Sequence, residues 1–321
     1  MKAAVYDNPG PPTVLTYTEV PDPVCGPDDV LIAVEAISIE GGDLINRRLT
    51  PPPQSPWIVG YAAAGTVISV GENVRDRTVG KKVTAFDMQG SHAELWSVPA
   101  TRTWLVPDGV DMAQAAALPI SFGSAHHCLV TKGGLRQTET VLIQAAAGGV
   151  GLAAIQLARE AGATVIAVAA GSERQASLTN LGASHVIDRL EQDVVEEVLR
   201  VTGGKGADLV IDPVGSTLKG SLSALAREGR LVFVGNAGGG GLDVDLWQPM
   251  QNNQTLYGVF MGPLFERPAV HATVDDLLRA TAEKRLEVVI DRVFPLRDAA
   301  MAHAYAETAK PLGRVVMTTS R

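Results

Sequence analysis

From Thr138 onward, short apolar runs alternate with stretches whose apolar residues recur at helical spacing. The runs Val141–Gln144, Val165–Ala169, Val186–Ile187, Leu209–Ile211, Leu231–Val234 and Leu256–Val259 predict buried strands, with helical stretches between most of them, beginning with Leu152–Ala161. Such alternation predicts a parallel sheet covered by helices, because a parallel crossover needs a helix to return the chain. Before Pro119 the pattern is different. Val30–Ile37, Ala64–Val70, Lys82–Ala85 and Ala93–Val98 are β-branched runs broken by Pro and Gly, which predicts an irregular β domain. The opening Met1–Val5 also has a strand-like pattern. Near the end, Ala269–Glu283 and Leu296–Thr308 read as helices and Gly313–Thr318 as a last strand. The expected division is a β domain over 1–120, an α/β domain over 121–261, and a segment over 262–321 that returns to complete the first. No internal repeat, low-complexity tract or like-charge block interrupts it.

The length fits that division: 321 residues suffice for one large or two modest units, at roughly 100 to 200 residues per domain. Hydrophobic residues are 46% and charged residues 19% of the chain, a composition with ample apolar material for a core. The net charge of −8 gives no long-range attraction to phosphate backbones or anionic membranes, so neither nucleic acid nor membrane is an expected partner. Cys25 and Cys128 are too few for a disulfide framework or a four-cysteine zinc lobe and read as reduced thiols. The start lacks the long apolar run of a signal peptide, so the cytoplasm is the expected compartment. Val141–Ala158 has about the length of a membrane span, but Gln144, Gln156 and its glycines fit a buried strand, turn and helix better.

The strongest chemical signal is Ala145-Ala146-Ala147-Gly148-Gly149-Val150-Gly151, set directly between a predicted strand and a predicted helix. A pyrophosphate must come close to the backbone there, where amides and the positive end of the helix stabilise its charge; hence small residues. Ala147, Gly148, Gly149, Val150 and Gly151 are the expected cradle, with Ala146 in place of the first Gly of the usual G-x-G-x-x-G. The alternative is a glycine-rich turn selected only for close strand–helix packing.

The second strand ends in Ala169-Ala170-Gly171, with no carboxylate for a ribose 2′-hydroxyl. Ser172 and Arg174 instead offer a hydroxyl and a guanidinium that suit a 2′-phosphate, and Arg189 after the third strand could add a second cation. NADPH is therefore the expected cofactor. Glu173 would oppose a phosphate if it turned inward, and Glu173 and Arg174 also read as solvated residues opening a helix.

With these residues goes a resemblance over essentially the whole chain. Met1–Val5, Gly60-x-x-x-x-Gly65-Thr66-Val67 through Val70-Gly71, Ala116–Pro119, Ala145–Gly151, Leu181–Ala183, Val186–Asp188, and Gly229–Val232 through Gly235-Asn236 resemble the medium-chain dehydrogenase/reductase superfamily. Within it the chain is similar to the zinc-independent quinone oxidoreductases related to zeta-crystallin. The resemblance implies an α/β protein: a GroES-like irregular β catalytic domain plus a Rossmann doubly wound cofactor domain.

Zinc-dependent members carry a Cys-Gly-x-Asp-like turn and a Gly-His-Glu motif. The matching positions here are Glu40-Gly41-Gly42-Asp43 and Gly60-Tyr61-Ala62, and a tyrosine is a poor substitute for an imidazole ligand, so no metal is expected. His126-His127-Cys128 does not change this, since adjacent helical residues point in different directions. Without a Lewis acid, a conjugated acceptor fits best: a quinone, or alternatively an enal or enone.

Tyr61 and Glu40 stand where the metal ligands stood and are the candidate catalytic residues, expected to face the nicotinamide. A packed aromatic is the other reading of Tyr61, and a turn cap or an arginine partner the other reading of Glu40. Ile45 departs from the Tyr many relatives have. By the same resemblance Ser124 would contact the cofactor's phosphate or ribose, and Gly235 and Asn236 its nicotinamide half. His92 reads as structural and Gly238–Gly241 as a mobile loop. A homodimer through the Leu256–Val259 edge is expected. A non-catalytic structural or RNA-binding role is the remaining alternative, disfavoured by the intact loop and the negative charge.

Overall fold

The computed structural model describes residues 1–319. It divides into two compact units, one joining Met1–Gly123 to the segment from Gly262 onward, the other formed by Ser124–Met261.

In the second unit a six-stranded parallel sheet runs in the order His185–Asp188, Thr164–Ala169, Thr140–Ile143, Ala207–Asp212, Leu225–Phe233, Thr255–Gly258. The first strand in sequence, Thr140–Ile143, lies at the centre, so the chain winds outward on both sides and the order reverses there, the topology of a dinucleotide-binding sheet. Its three central strands are apolar because both of their faces are covered: Val141, Leu142, Ile143, Ile166, Leu209, Val210 and Ile211 are all fully buried. Thr255–Gly258 lies at one edge of this sheet, as the apolar run Leu256–Val259 suggested.

Several boundaries differ from the sequence expectation, and two of them have a clear local cause. The helix after the central strand is Gly149–Glu160, three residues earlier than Leu152, because Gly148 supplies the cap and the glycines themselves enter the first turn. The fifth strand begins at Leu225, and its register with Ala207–Asp212 shifts between Ala207 and Leu209. Glu228 at φ 60 and Gly229 interrupt the apolar pattern at that irregularity, which hid the strand's first half.

The first unit is built on a seven-stranded sheet. Ile290–Pro295, Arg314–Thr318, Asp29–Ser38, Ala62–Val70, Lys82–Phe86 and Thr103–Leu105 follow one another, and Leu95–Pro99 pairs with Asp29–Ser38 off this path. Arg314–Thr318 lies antiparallel to Asp29–Ser38, Val316 opposite Ser38, which ties the returning segment to the first domain. A smaller sheet places Lys2–Tyr6 between Thr16–Glu19 and Trp57–Ile58. The main core of this unit includes Ile32, Val34, Ile37, Val67, Trp96 and Met317. Elements that were not anticipated include the short strands Thr16–Glu19, Trp57–Ile58 and Thr103–Leu105, the helix Gly41–Leu49, whose first residues are poor helix formers, and the strand Ile290–Pro295, in which Asp291 and Arg292 break the apolar run. Among the described residues no helix is long and apolar enough to cross a membrane.

Candidate active site

Glu40 precedes the helix Gly41–Leu49 and Asp43 lies in its first turn. Each side chain accepts from the other's backbone amide, a reciprocal capping box that starts a helix on two glycines; the Glu40 amide donates to Asp43 Oδ2 at 2.8 Å. Both carboxylates are buried. Glu40 also accepts from the Ser38 hydroxyl at 2.7 Å and is paired with the Arg314 guanidinium, which donates to Ser121 Oγ at 2.8 Å. Burial pushes the Glu40 carboxyl above its ordinary range against the pull of Arg314 and Ser38. Asp43 is pushed well above its range, chiefly by burial, with the neighbouring Glu40 charge adding to it. The structure thus engages Glu40 as both the cap and the arginine partner.

Tyr61 lies against the same helix. A Cβ on Gly42 would come within 2.2 Å of the Tyr61 ring, so glycine at 42 is what lets the ring sit there. Phe86 meets the ring edge-on at 6.3 Å between centroids. The Asn46 amide donates to the Tyr61 hydroxyl at 2.6 Å. Burial, with Asp43 beside it, pushes the phenol up to about 12, so it keeps its proton through the neutral range. A protonated phenol whose oxygen already accepts from Asn46 is a hydrogen-bond donor toward a second group.

Deeper in this unit His92 and His303 face each other, Nε2 to Nε2 at 2.9 Å, both fully buried. Burial lowers His92 to about 3 and His303 well below its usual value, so the pair is neutral. Arg47, also fully buried, is paired with Glu307. The zinc-dependent pattern does not fit these residues: Glu40 is committed to Arg314, and Tyr61 is not a good ligand. Among the described residues no group of three or more His, Cys, Asp or Glu could hold a metal ion.

In the second unit, the central strand leads through a turn at Ala145–Gly148 into the helix Gly149–Glu160. The first intrahelical donor is Leu152 N to Gly148 O at 2.9 Å, so the amides of Gly149, Val150 and Gly151 have no acceptor within the helix. Gly148 is exposed. A Cβ on Gly151 would lie 2.5 Å from the Ala146 backbone, so only glycine lets the helix start this close to the loop. Ala146 is fully buried beneath the turn and needs no glycine's freedom, which explains the departure at that position. Such a helix start could hold an anion, and its small residues and unpaired amides would suit a pyrophosphate.

Ser172–Arg174 is a short 3₁₀ turn immediately after the second strand. Ser172 and Arg189 are exposed. Arg189 is held near by its backbone amide, which donates to Ala169 O at 3.0 Å. Arg174 donates to the Ala170 carbonyl and pairs with Glu173 at 3.3 Å. Asp188, at the end of the third strand, accepts from the amides of Gly171 at 2.9 Å and Leu190 at 3.0 Å, which hold it below its usual range, with Arg189 and Arg174 adding to the effect. The second-strand end therefore does have a carboxylate beside it, contributed by the next strand.

Asn236 follows the fifth strand, after Gly235 at φ 122. Its amide donates to Gly240 O at 3.0 Å, while Gly238 N donates to Val214 O at 2.8 Å, so the glycine run expected to be loose is folded against the Pro213–Thr217 loop. That loop is organised by Asp212, fully buried, which accepts from Val214 N, Gly215 N, Thr217 Oγ1 and Ser221 Oγ at 2.7–3.0 Å. Ser124 is buried near the end of the helix Met112–His126.

Glu40 and Tyr61 are thus brought to one helix start in the first unit. The second unit gathers Ala147–Gly151 at one strand end and Ser172, Arg174 and Arg189 at the ends of the next two. Asn46, Arg314, Asp188 and Asp212 were missed. Asn46 lies three residues after Asp43 on the helix that was not anticipated, and Arg314 is far away in sequence, so only the fold brings these to the site.

The family model described as "Zinc-binding dehydrogenase" matches residues 149–277, and "Alcohol dehydrogenase GroES-like domain" matches residues 26–108. A 2-haloacrylate reductase from a Burkholderia species is 32% identical over 333 residues, covering 98% of each chain. A quinone oxidoreductase from Pseudomonas aeruginosa is 32% identical over 314 residues, covering 96% of each. Among solved structures, the Escherichia coli quinone oxidoreductase complexed with NADPH superposes with a TM-score of 0.94 at 28% identity, covering 99% of this chain and 100% of that one.

Proposed function

This chain belongs to the medium-chain dehydrogenase/reductase superfamily, in the zinc-independent quinone oxidoreductase family, and on that premise we propose that it is an NADPH-dependent, metal-free reductase of quinones. The observation that carries the reading is the helix start at Gly149–Gly151, where backbone amides and glycines make an anion cradle at the end of the central strand. NADPH bound there would supply a hydride. Ala147, Gly148, Gly149, Val150 and Gly151 would hold its pyrophosphate, and Ser172, Arg174 and Arg189 its 2′-phosphate, by charge-assisted hydrogen bonds. Ser124, Gly235 and Asn236 would line the remainder of the cofactor.

Tyr61 keeps its proton and offers it to the oxygen that gains charge as the acceptor is reduced. Glu40 acts by holding the helix start that seats Tyr61. An enal or enone reductase is the second reading, favoured by the same neutral phenol, since an enolate needs a donor more than a quinone does. NADPH oxidation measured with 1,4-benzoquinone and with methyl vinyl ketone tests both. Tyr61→Phe should lower kcat by about ten- to a thousandfold, more for the enone, with little change in NADPH affinity. Full turnover of the variant on both acceptors would mean that the proton comes from water.

We also propose a homodimer through the sheet edge at Thr255–Gly258. An edge strand leaves amides and carbonyls for a symmetric partner. Leu246, Trp247, Met250 and Phe260, near it in sequence, are exposed apolar residues. Light scattering at micromolar concentration should return twice the mass of the chain; the mass of one chain would refute the dimer.

A further inference from the structure

We propose that Asn46 is a positioning residue for proton delivery, fixing the Tyr61 hydroxyl so that its oxygen accepts from the Asn46 amide and its proton points to the substrate. The inference rests on the reading of Tyr61 as the donor. A phenol rotates freely about its C–O bond, and a hydroxyl can donate in one direction only at a time. Whatever acceptor lies nearest captures the proton.

Here the nearest group is a donor. Asn46 Nδ2 lies 2.6 Å from the Tyr61 oxygen and donates to it, while Asn46 Oδ1 accepts from the Thr50 hydroxyl at 3.5 Å. The ring packs closely on one side against Gly42, where a Cβ would collide with it, and meets Phe86 edge-on. With the ring seated there, Asn46 is the group that sets the rotation of the hydroxyl.

The helix supplies the geometry. Asp43 and Asn46 are three residues apart and lie on one face, so the capping box that starts the helix also places the amide. In this chain the hydroxyl at 61 and the amide at 46 together make the donor. With NADPH bound, its hydride would add to the β-carbon of the enone as NADPH becomes NADP⁺, the conjugated π pair would move to the carbonyl oxygen, and Tyr61 would give that oxygen its proton. The enol would then tautomerise to the saturated carbonyl, and a proton from solvent would restore the phenol, so that one NADPH and one proton are consumed.

The test combines spectroscopy and kinetics. In protein labelled at the tyrosine Cζ with carbon-13, the signal that disappears in Tyr61→Phe is Tyr61's, and Asn46→Ala should shift that signal while leaving the other tyrosines in place. Asn46→Ala should lower kcat with methyl vinyl ketone by about three- to tenfold, the worth of one hydrogen bond, with KM for NADPH unchanged. Asn46→Asp, whose carboxylate would capture the phenol proton, should lower kcat further than Asn46→Ala. In the Tyr61→Phe background, neither change should cost anything more. An unmoved Tyr61 signal in Asn46→Ala, or equal losses with and without the Tyr61 hydroxyl, overturns the role of Asn46 alone. A Tyr61→Phe variant with full turnover instead removes the donor itself, and the role of Asn46 with it.

Discussion

At their candidate sites the two units hold polar groups by different means. In the parallel-sheet unit, Asp212 is enclosed by backbone amides and hydroxyls, all neutral donors, and the anion cradle is made of amides at a helix start. In the other unit ionisable groups are set against one another: Glu40 against Arg314 and Asp43, Arg47 against Glu307, His92 against His303. A cofactor site made of backbone asks only for small side chains and correct φ, so it tolerates Ala146 in place of a glycine. A site made of paired side chains fails when one member changes, because the partner is left buried and unpaired.

The largest effect should come from breaking one of those pairs. Glu40 is 2% exposed, and Glu40→Ala strands the Arg314 guanidinium and removes the cap of Gly41–Leu49, which should cost about 3–5 kcal/mol of stability. Glu40→Gln keeps the side-chain volume and the Ser38 contact and should cost less. Denaturant midpoints of the three proteins settle this: a loss below about 1 kcal/mol for Glu40→Ala would mean that the pair is solvated in solution.

In the other unit the corresponding change should act on the ligand and spare the fold. On the proposed reading of Arg174 as a partner of the 2′-phosphate, Arg174→Ala should remove a charge-assisted contact worth about 1.5–3 kcal/mol, about ten- to a hundredfold in NADPH affinity. NADH binding should be nearly unchanged, because NADH lacks that phosphate. Fluorescence titration with both cofactors distinguishes the outcomes, and equal losses would place Arg174 in local structure only. Its existing contacts, the Ala170 carbonyl and Glu173, make this a sharp comparison.

The same contrast explains what the sequence made legible. The parallel sheet announced itself through apolar runs such as Val141–Ile143 and Leu209–Ile211, whose partners lie close in sequence and whose cradle is one continuous segment. The site of the other unit is assembled from Ser38, Glu40, Asn46, Tyr61, Ser121 and Arg314, where no local pattern links a strand residue at 314 to a cap at 40. The helix Gly41–Leu49 was hidden because its start depends on a reciprocal cap rather than on propensity, and glycines at 41 and 42 read as a turn. Asp188 was passed over because it belongs to the third strand, and only the parallel register with Ala169 brings it beside the second.

The smallest expected effect is a pH dependence confined to the unit of paired charges. In the unfolded chain His92 takes up a proton below about 6.5, whereas in the folded chain burial holds it neutral down to about 3, with His303 beside it. Between these values the unfolded state binds more protons, so stability is full above pH 6.5 and falls as the pH drops toward 3. From pH 7.5 to 5.5 His92 alone should cost about 1.4 kcal/mol, and His303, lowered in the same sense, adds to it. Glu40 and Asp43 are raised by burial and work in the opposite direction, since their folded forms hold protons that the unfolded chain releases. The informative quantity is therefore a difference. His92→Gln keeps a polar partner for His303 without a titrating ring, and its stability should fall by about 1.4 kcal/mol less than the wild type over the same interval. Equal losses in the two proteins would show that water reaches the histidine pair, and the contrast between the two interiors would then rest on the carboxylates and arginines alone.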